Sequence, residues 1–468
     1  MSVTDSIRPT RRSVLTDIPV GAVLALLVVT LAVGCDSGGS GSSSNDAPNA
    51  DFRSKARAGE AMTYTFDASD SYDADGQIVA YEWEFGNGDT GSGETVTHAY
   101  SSAGEREVVL AVTDEDDATK SATRTITVDK SEKDYEFSSD YAYNVNVIYF
   151  VPKGIEPLPD YRERLSGFLL YIQDYYRGWM EHWGHNKTFG LLKDRGRVKI
   201  RRINGERPVS IYSDDGGRRI RDEVQKYFET HEEKPDSKHY LVFTPKPSSD
   251  LDLPYYAIGR CGFVTDTGQK ESNAENEGGG VAHELGHALN LVHNAHSVSR
   301  RDKHGAAIMN NGNNVWNHQG GATRTSLTEI SADILGESQA ASREEGEFYG
   351  DPGVELKSAS GAYRDGEIII SGTFESDGPV RGAYVMLDPE GRANYDQHGF
   401  ESSVASPDSF HVSVELSELS KTQDADYKAK LWVLPKHHKR KFKRLAKFSF
   451  EDGVPDIDFR CAGQQCGF

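Results

Sequence analysis

The sequence predicts a multidomain chain, a β-sandwich followed by an α/β domain and a second β-sandwich, and three patterns predict it. Between residues 47 and 129, short alternating runs such as 62–66 and 107–112 are separated by Gly, Asp and Ser clusters, the pattern of antiparallel strands with one wet face. Between 134 and 345, strand-like runs alternate with helical stripes, as expected of a sheet covered by helices. Between 354 and 452 the period of two returns, in 367–372, 383–387 and 409–414. A chain of 468 residues needs several cores, and 37% hydrophobic residues supply the apolar surface to fill them.

The formal charge of −21, from 73 acidic and 52 basic residues, argues against a nucleic-acid partner, because phosphate binding needs a positive surface. Four cysteines are too few for a disulfide framework. Cys35 follows an apolar run, Cys261 stands alone, and Cys461 and Cys466 are close enough to close a small loop after export.

Residues 1–35 read as a signal peptide: a basic start, an apolar run from Ile18 to Gly34, then small residues before Cys35. The run is shorter than the ~20 residues of a spanning helix. Its end resembles a bacterial-type lipobox, which implies lipidation of Cys35, a lipid anchor in the membrane, and an exported lipoprotein at the cell envelope or surface. The stretch around Arg11 and Arg12 also resembles a twin-arginine export motif, so the route stays open. Residues 36–46, almost all Gly, Ser, Asp and Asn, make a flexible tether.

In the first sandwich, Trp83 and Phe85 share one face and belong to its core, with a tight turn from Gly86 to Asp89. The run 75–88, followed by His98-Ala99-Tyr100 and Val112-Thr113-Asp114, closely resembles a PKD domain over 47–129. The acidic group Asp67, Asp70, Asp73 and Asp75 is either a solvated loop or a set of oxygen ligands for Ca²⁺.

The strongest chemical signal lies in residues 281–293. His283 and His287 stand one helical turn apart on one face, so their imidazoles can meet one Zn²⁺, and Glu284 sits beside the metal without ligating it. A catalytic zinc keeps a position for water and lowers its pKa toward ~7, and a nearby carboxylate takes the proton. Glu284 fits that role. A third ligand lies beyond the helix, so the chain must turn after Leu289 and bring back His293; Asn290, at the turn, tolerates left-handed backbone best after Gly.

This pattern resembles the metzincin zinc peptidases, with Asn290 where the family carries Gly. The resemblance implies an α/β metzincin-like domain over 134–345, one catalytic zinc on His283, His287 and His293, Glu284 as general base, and Met309 as the apolar floor of a methionine turn. It implies an endopeptidase acting on proteins or peptides. A competing third ligand is Glu329, since Glu329 to Asp333 resembles the Glu-x-x-x-Asp of gluzincins; the spacing of His293 favours the histidine. His296 and His304 read as surface residues.

Elsewhere, 145–151 reads as a strand and 161–183 as a helix with a core stripe of Leu165, Phe168, Leu169, Ile172, Tyr176 and Trp179. Strands follow at 198–203 and 239–244 with a helix over 218–228 between them, and by analogy 255–265 supplies the edge strand that binds substrate backbone. Cys261 reads as a buried or free thiol. The second sandwich, 354–452, carries no recognised binding motif; its basic run 436–444 reads as a solvated hairpin, and 453–468 as a tail. The rival function is a surface adhesion or glycan-binding lipoprotein with an inactive zinc domain. The natural substrate and oligomeric state are not written in the sequence.

Overall fold

The computed structural model describes residues 45–57, 62–128, 135–213, 216–231, 233–246, 253–268, 274–310, 312, 316, 325–391, 395–403 and 408–462. Cys35, the expected signal peptide, residues 36–44 of the expected tether and Cys466 lie outside the described residues. The chain divides into two compact units at Glu136/Phe137.

The first unit is a β-sandwich. One sheet contains Arg53–Ala56, Thr63–Asp67 and Thr95–Ala99, and the other Thr90–Ser92, Ile78–Glu84, Gly104–Asp114 and Thr119–Val128. Trp83 and Phe85 are both 1% exposed, as their period of two predicts, and pack with Phe52, Phe66 and Leu110. The acidic residues make local contacts, and the buried Asp73 Oδ2 has no hydrogen-bond partner among the described residues. Asp70 pairs with Arg53, Asp67 accepts from the Ser69 amide at 3.0 Å, and Asp73 accepts from the Asp75 amide at 3.3 Å. No group of carboxylates close enough to hold a metal occurs here among the described residues.

The second unit, Phe137–Phe468, begins with an α/β lobe. Strands β1 (Asn146–Lys153), β2 (Ile200–Pro208), β3 (Tyr240–Pro245), β4 (Tyr256–Ile258) and β5 (Cys261–Asp266) form one sheet in the order β2-β1-β3-β5-β4. The first four in that order run parallel, and β4 is an antiparallel edge. The edge expected over 255–265 is therefore two strands, with β4 alone at the rim. The run 145–151 is apolar at every position but Asn146 because β1 is covered on both faces. Val147, Tyr149 and Val151 join one core, with helix α1 (Tyr161–His182) and helix α3 (Ala274–Ala288); Ile148 and Phe150 join another, with helix α2 (Gly216–Thr230). Short helices α4 (Val298–His304) and α5 (Glu329–Gly336) follow.

The rest of this unit is the second sandwich. Strands β6 (Val354–Arg364), β7 (Glu367–Ser376), β8 (Val380–Pro389), β9 (His398–Glu401), β10 (Ser409–Glu415), β11 (Asp426–Pro435), β12 (Lys441–Glu451), β13 (Val454–Asp456) and β14 (Asp458–Ala462) form two sheets, β10-β7-β6-β14 and β9-β8-β11-β12-β13. The strands continue past 452: β14 pairs with β6 from Ser358↔Ala462 to Ala362↔Asp458, so 454–462 is sheet rather than tail. Cys461, in β14, is disulfide-bonded.

The sheet β9-β8-β11-β12-β13 is buried on both faces at its centre. Val385, Leu387, Leu431 and Val433 point into the sandwich, whereas Tyr384, Met386, Trp432 and Leu434 join the core of the α/β lobe. Adjacent residues of a strand face opposite ways, so apolar residues at consecutive positions require two apolar neighbours. The α/β lobe is the second neighbour.

Candidate metal centre

Helix α3 lies against β5 at an unusually close approach. A Cβ at Gly262 would meet the Glu284 carbonyl oxygen at 2.6 Å and its carbon at 3.1 Å, so only glycine lets the helix backbone sit this near the sheet. Gly262→Ala is expected to lower stability by about 1–3 kcal/mol, as overpacking does when backbone must move. Thermal unfolding checks it; an unchanged melting temperature would mean that α3 moves off the sheet without cost.

The α3 positions Val281, Ala282, Leu285 and Ala288 are buried, as is Leu289 just past the helix. His283 and His287 lie on the face toward the chain that returns from the helix end. That end is a Schellman motif: the Leu291 amide donates to the Gly286 carbonyl at 2.9 Å, and the Asn290 amide to the His287 carbonyl at 2.8 Å. Asn290 has φ +74°, the left-handed backbone expected of it. The turn delivers His293.

The three Nε2 atoms converge. His287 lies 3.1 Å from His283 and 2.9 Å from His293, and His293 lies 3.3 Å from His283. Nitrogens bound to one zinc at about 2.0–2.1 Å in tetrahedral geometry lie roughly 3.3–3.4 Å apart, so the triangle fits such an ion. The tautomers agree with this. His283 Nδ1 donates to the Ile308 carbonyl at 2.9 Å and His287 Nδ1 to the Leu291 carbonyl at 3.2 Å, which leaves both Nε2 lone pairs pointing inward. Burial lowers the pKa of His283; burial, reinforced by the neighbouring histidines, pushes His287 down to about 3. Neutral imidazoles with converging lone pairs repel one another unless a cation sits between them.

Glu284 is 8% exposed beside this triangle, and its Oε2 has no hydrogen-bond partner among the described residues. Burial pushes its carboxyl up to about 8. A cation held by the imidazoles would lower it again, because a nearby positive charge favours the carboxylate. Met309 is 1% exposed and lies under α3 at Gly286, where a Cβ would collide with its Sδ.

The competing ligand, Glu329, lies elsewhere and pairs with Arg300 at 2.6 Å. Asp333 is held by His185 and Arg381, each at 2.8 Å, and by the Tyr384 hydroxyl. His296 is not at the surface: it is 4% exposed, with Nε2 2.6 Å from Ser326 Oγ. His304 packs on Trp179, His182 and Trp183. Cys261 is a buried free thiol, pushed up to about 12 by burial.

Sequence reasoning missed the supports of α3. The Tyr176 hydroxyl donates to the Ala282 carbonyl at 2.7 Å, and His239 Nδ1 donates to the Ala288 carbonyl at 2.6 Å. Tyr176 was readable only as core, and nothing local marks His239. Beside the triad a cavity of about 310 Å³ is lined by His287, Leu291, Val292 and His293 on one side and Gln397, Lys430, Trp432 and Phe442 of the second sandwich on the other.

The family model described as PKD domain matches residues 45–129. The first unit is a PKD domain. A microbial collagenase of Vibrio alginolyticus is 42% identical over 87 residues, 18% of this chain and 10% of the relative. Collagenase ColA of Clostridium perfringens is 37% identical over 84 residues, 18% and 8%, and the pre-pro-metalloprotease PrtV of Vibrio cholerae 35% over 99 residues, 21% and 10%. The chain therefore spans about a tenth or less of the length of the curated relatives it matches. Among solved structures, wild-type OgpA from Akkermansia muciniphila is 27% identical, with a TM-score of 0.62, over 72% of this chain and 100% of OgpA. A catalytically inactive OgpA, solved in complex with an O-glycopeptide (glycodrosocin) substrate, is 26% identical, with a TM-score of 0.61, over 69% of this chain and 96% of OgpA. The PKD relatives are named as collagenases and a metalloprotease. No helix among the described residues is long and apolar enough to cross a membrane.

Proposed function

We propose that this chain is an exported zinc-dependent endopeptidase, anchored through a lipid on Cys35, with a metzincin-like domain that cleaves peptide bonds in proteins carrying O-linked sugar. The observation that carries the reading is the convergence of His283, His287 and His293 Nε2 within 3.3 Å, beside a buried Glu284 with an unpartnered oxygen. The substrate class is taken from the likeness to OgpA, and the export and lipid anchor from residues 1–35.

His283, His287 and His293 would hold the ion. When bound, zinc supplies Lewis acidity toward a carbonyl oxygen and lowers the pKa of water toward ~7. Glu284 accepts the proton of the attacking water and returns it to the leaving amine nitrogen. The Ile308 and Leu291 carbonyls fix the histidine tautomers, and the cavity beside His293 admits substrate on the sandwich side.

The test is hydrolysis of matched O-glycosylated and bare peptides by residues 36–468, with zinc content measured in parallel. Cleavage of the glycopeptide, lost with chelator and restored by zinc, is expected. Stoichiometric zinc without cleavage of either peptide would favour the adhesion or glycan-binding lipoprotein.

A further inference from the structure

His283 and His287 are positioned by their own helix, but His293 lies on irregular chain, which the α/β lobe holds at Asn294 through Ser331 and Thr328 and which the second sandwich holds around His293 itself. Four contacts make up the sandwich's hold. Arg440, just before β12, donates from Nη1 to the Asn290 carbonyl at 2.7 Å, at the residue whose left-handed backbone turns the chain. Gln397, beside β9, donates from Nε2 to the carbonyl of His293 itself. The Ala295 amide donates to the Gln397 carbonyl at 2.9 Å, closing the segment on its far side. The Tyr395 ring stacks on the His293 imidazole, with centroids 3.8 Å apart and planes 25° from parallel.

These contacts are themselves anchored. The Arg440 guanidinium lies over the Trp432 ring at 5.2 Å, and Trp432 belongs to the core of the α/β lobe. Asn310, next to Met309, donates to the Tyr395 carbonyl at 2.8 Å, and Lys421 pairs with Asp396 at 3.0 Å. Arg440 thus leaves the solvated basic hairpin expected over 436–444 and faces inward. Each contact acts on backbone or on a ring face, so each sets where His293 stands without occupying its Nε2.

We propose that the second sandwich is a working part of the metal centre: Arg440, Gln397 and Tyr395 are positioning residues that clamp 290–295 and thereby set metal affinity through His293. This rests on His293 being a ligand. Residues that orient a ligand from outside the coordination sphere typically contribute 10–100-fold in metal affinity. The sandwich would then be required for tight binding although it donates no ligand.

The experiment is zinc affinity of residues 36–468 by competition with a chromophoric chelator, with the visible d–d spectrum of the cobalt-loaded protein as the geometric readout. Arg440→Ala, Gln397→Ala and Tyr395→Ala are each expected to weaken zinc about 10–100-fold and to alter the cobalt bands. Arg440→Lys, which keeps one donor, and Tyr395→Phe, which keeps the stacked ring, are expected to recover most of that loss. Should Arg440→Ala fail to fold, Gln397→Ala removes one donor and leaves the sandwich core intact, so it carries the comparison. Wild-type affinity and spectrum in the folded Ala variants overturn the clamp alone. A wild-type protein that binds no zinc overturns the metal reading and the clamp with it.

Discussion

Replacing Glu284 with Ala is expected to reduce hydrolysis by ~10²–10⁴-fold, the usual contribution of a general base, while zinc content stays at the wild-type level. That loss corresponds to about 3–5 kcal/mol of barrier. The separation of the two effects follows from the geometry. The three converging nitrogens belong to His283, His287 and His293, and none bonds Glu284, whose Oε2 has no partner among the described residues. Alanine is the best helix former, so α3 should persist. Glu284→Gln sharpens the test, because the amide keeps the side-chain shape and loses the ability to take a proton. An active Gln variant would place the proton transfer on another group, whereas two inactive variants that both retain zinc would fix it on the carboxylate. A variant that lost zinc as well would show that Glu284 supports the site rather than the proton transfer.

What was readable in the sequence was what local periodicity encodes. The spacing of His283 and His287 states a shared helix face, and an Asn at position 290 states a left-handed turn, because few other residues adopt φ near +74°. The apolar run of β1 states two covered faces, and both are found. The supports of His293 were not readable. Gln397 and Arg440 lie about a hundred or more positions from the segment they hold, and a basic run such as 436–444 gives no sign that one of its arginines points inward. The apolar residues at 384, 386, 432 and 434 carried a usable signal. They fill the positions that alternation would send to water, which says that this face is covered without saying by what. The last strands were missed because β13 is three residues with a proline at its centre and β14 is mostly exposed, so burial wrote little into them.

His293→Ala should weaken zinc by more than the ~100-fold that changes outside the coordination sphere produce, and should abolish hydrolysis at ordinary zinc concentrations. The reason is a count of donors. A catalytic zinc is held by three protein groups, and on the proposed reading His283 and His287 would supply two. The third comes either from His293, whose Nε2 lies 2.9 Å and 3.3 Å from the other two, or from Glu329, whose carboxylate is paired with Arg300 at 2.6 Å. For Glu329 to serve, it would have to leave Arg300 and α5 would have to move. The neighbouring Asp333, bound by His185, Arg381 and Tyr384, ties that helix to both the α/β lobe and the sandwich. Glu329→Ala is therefore expected to keep zinc and activity, with a modest loss of stability from the broken ion pair. The pair of variants is decisive in either direction. Zinc retained in His293→Ala and lost in Glu329→Ala would exchange the ligands and would remove the physical basis for a clamp on 290–295.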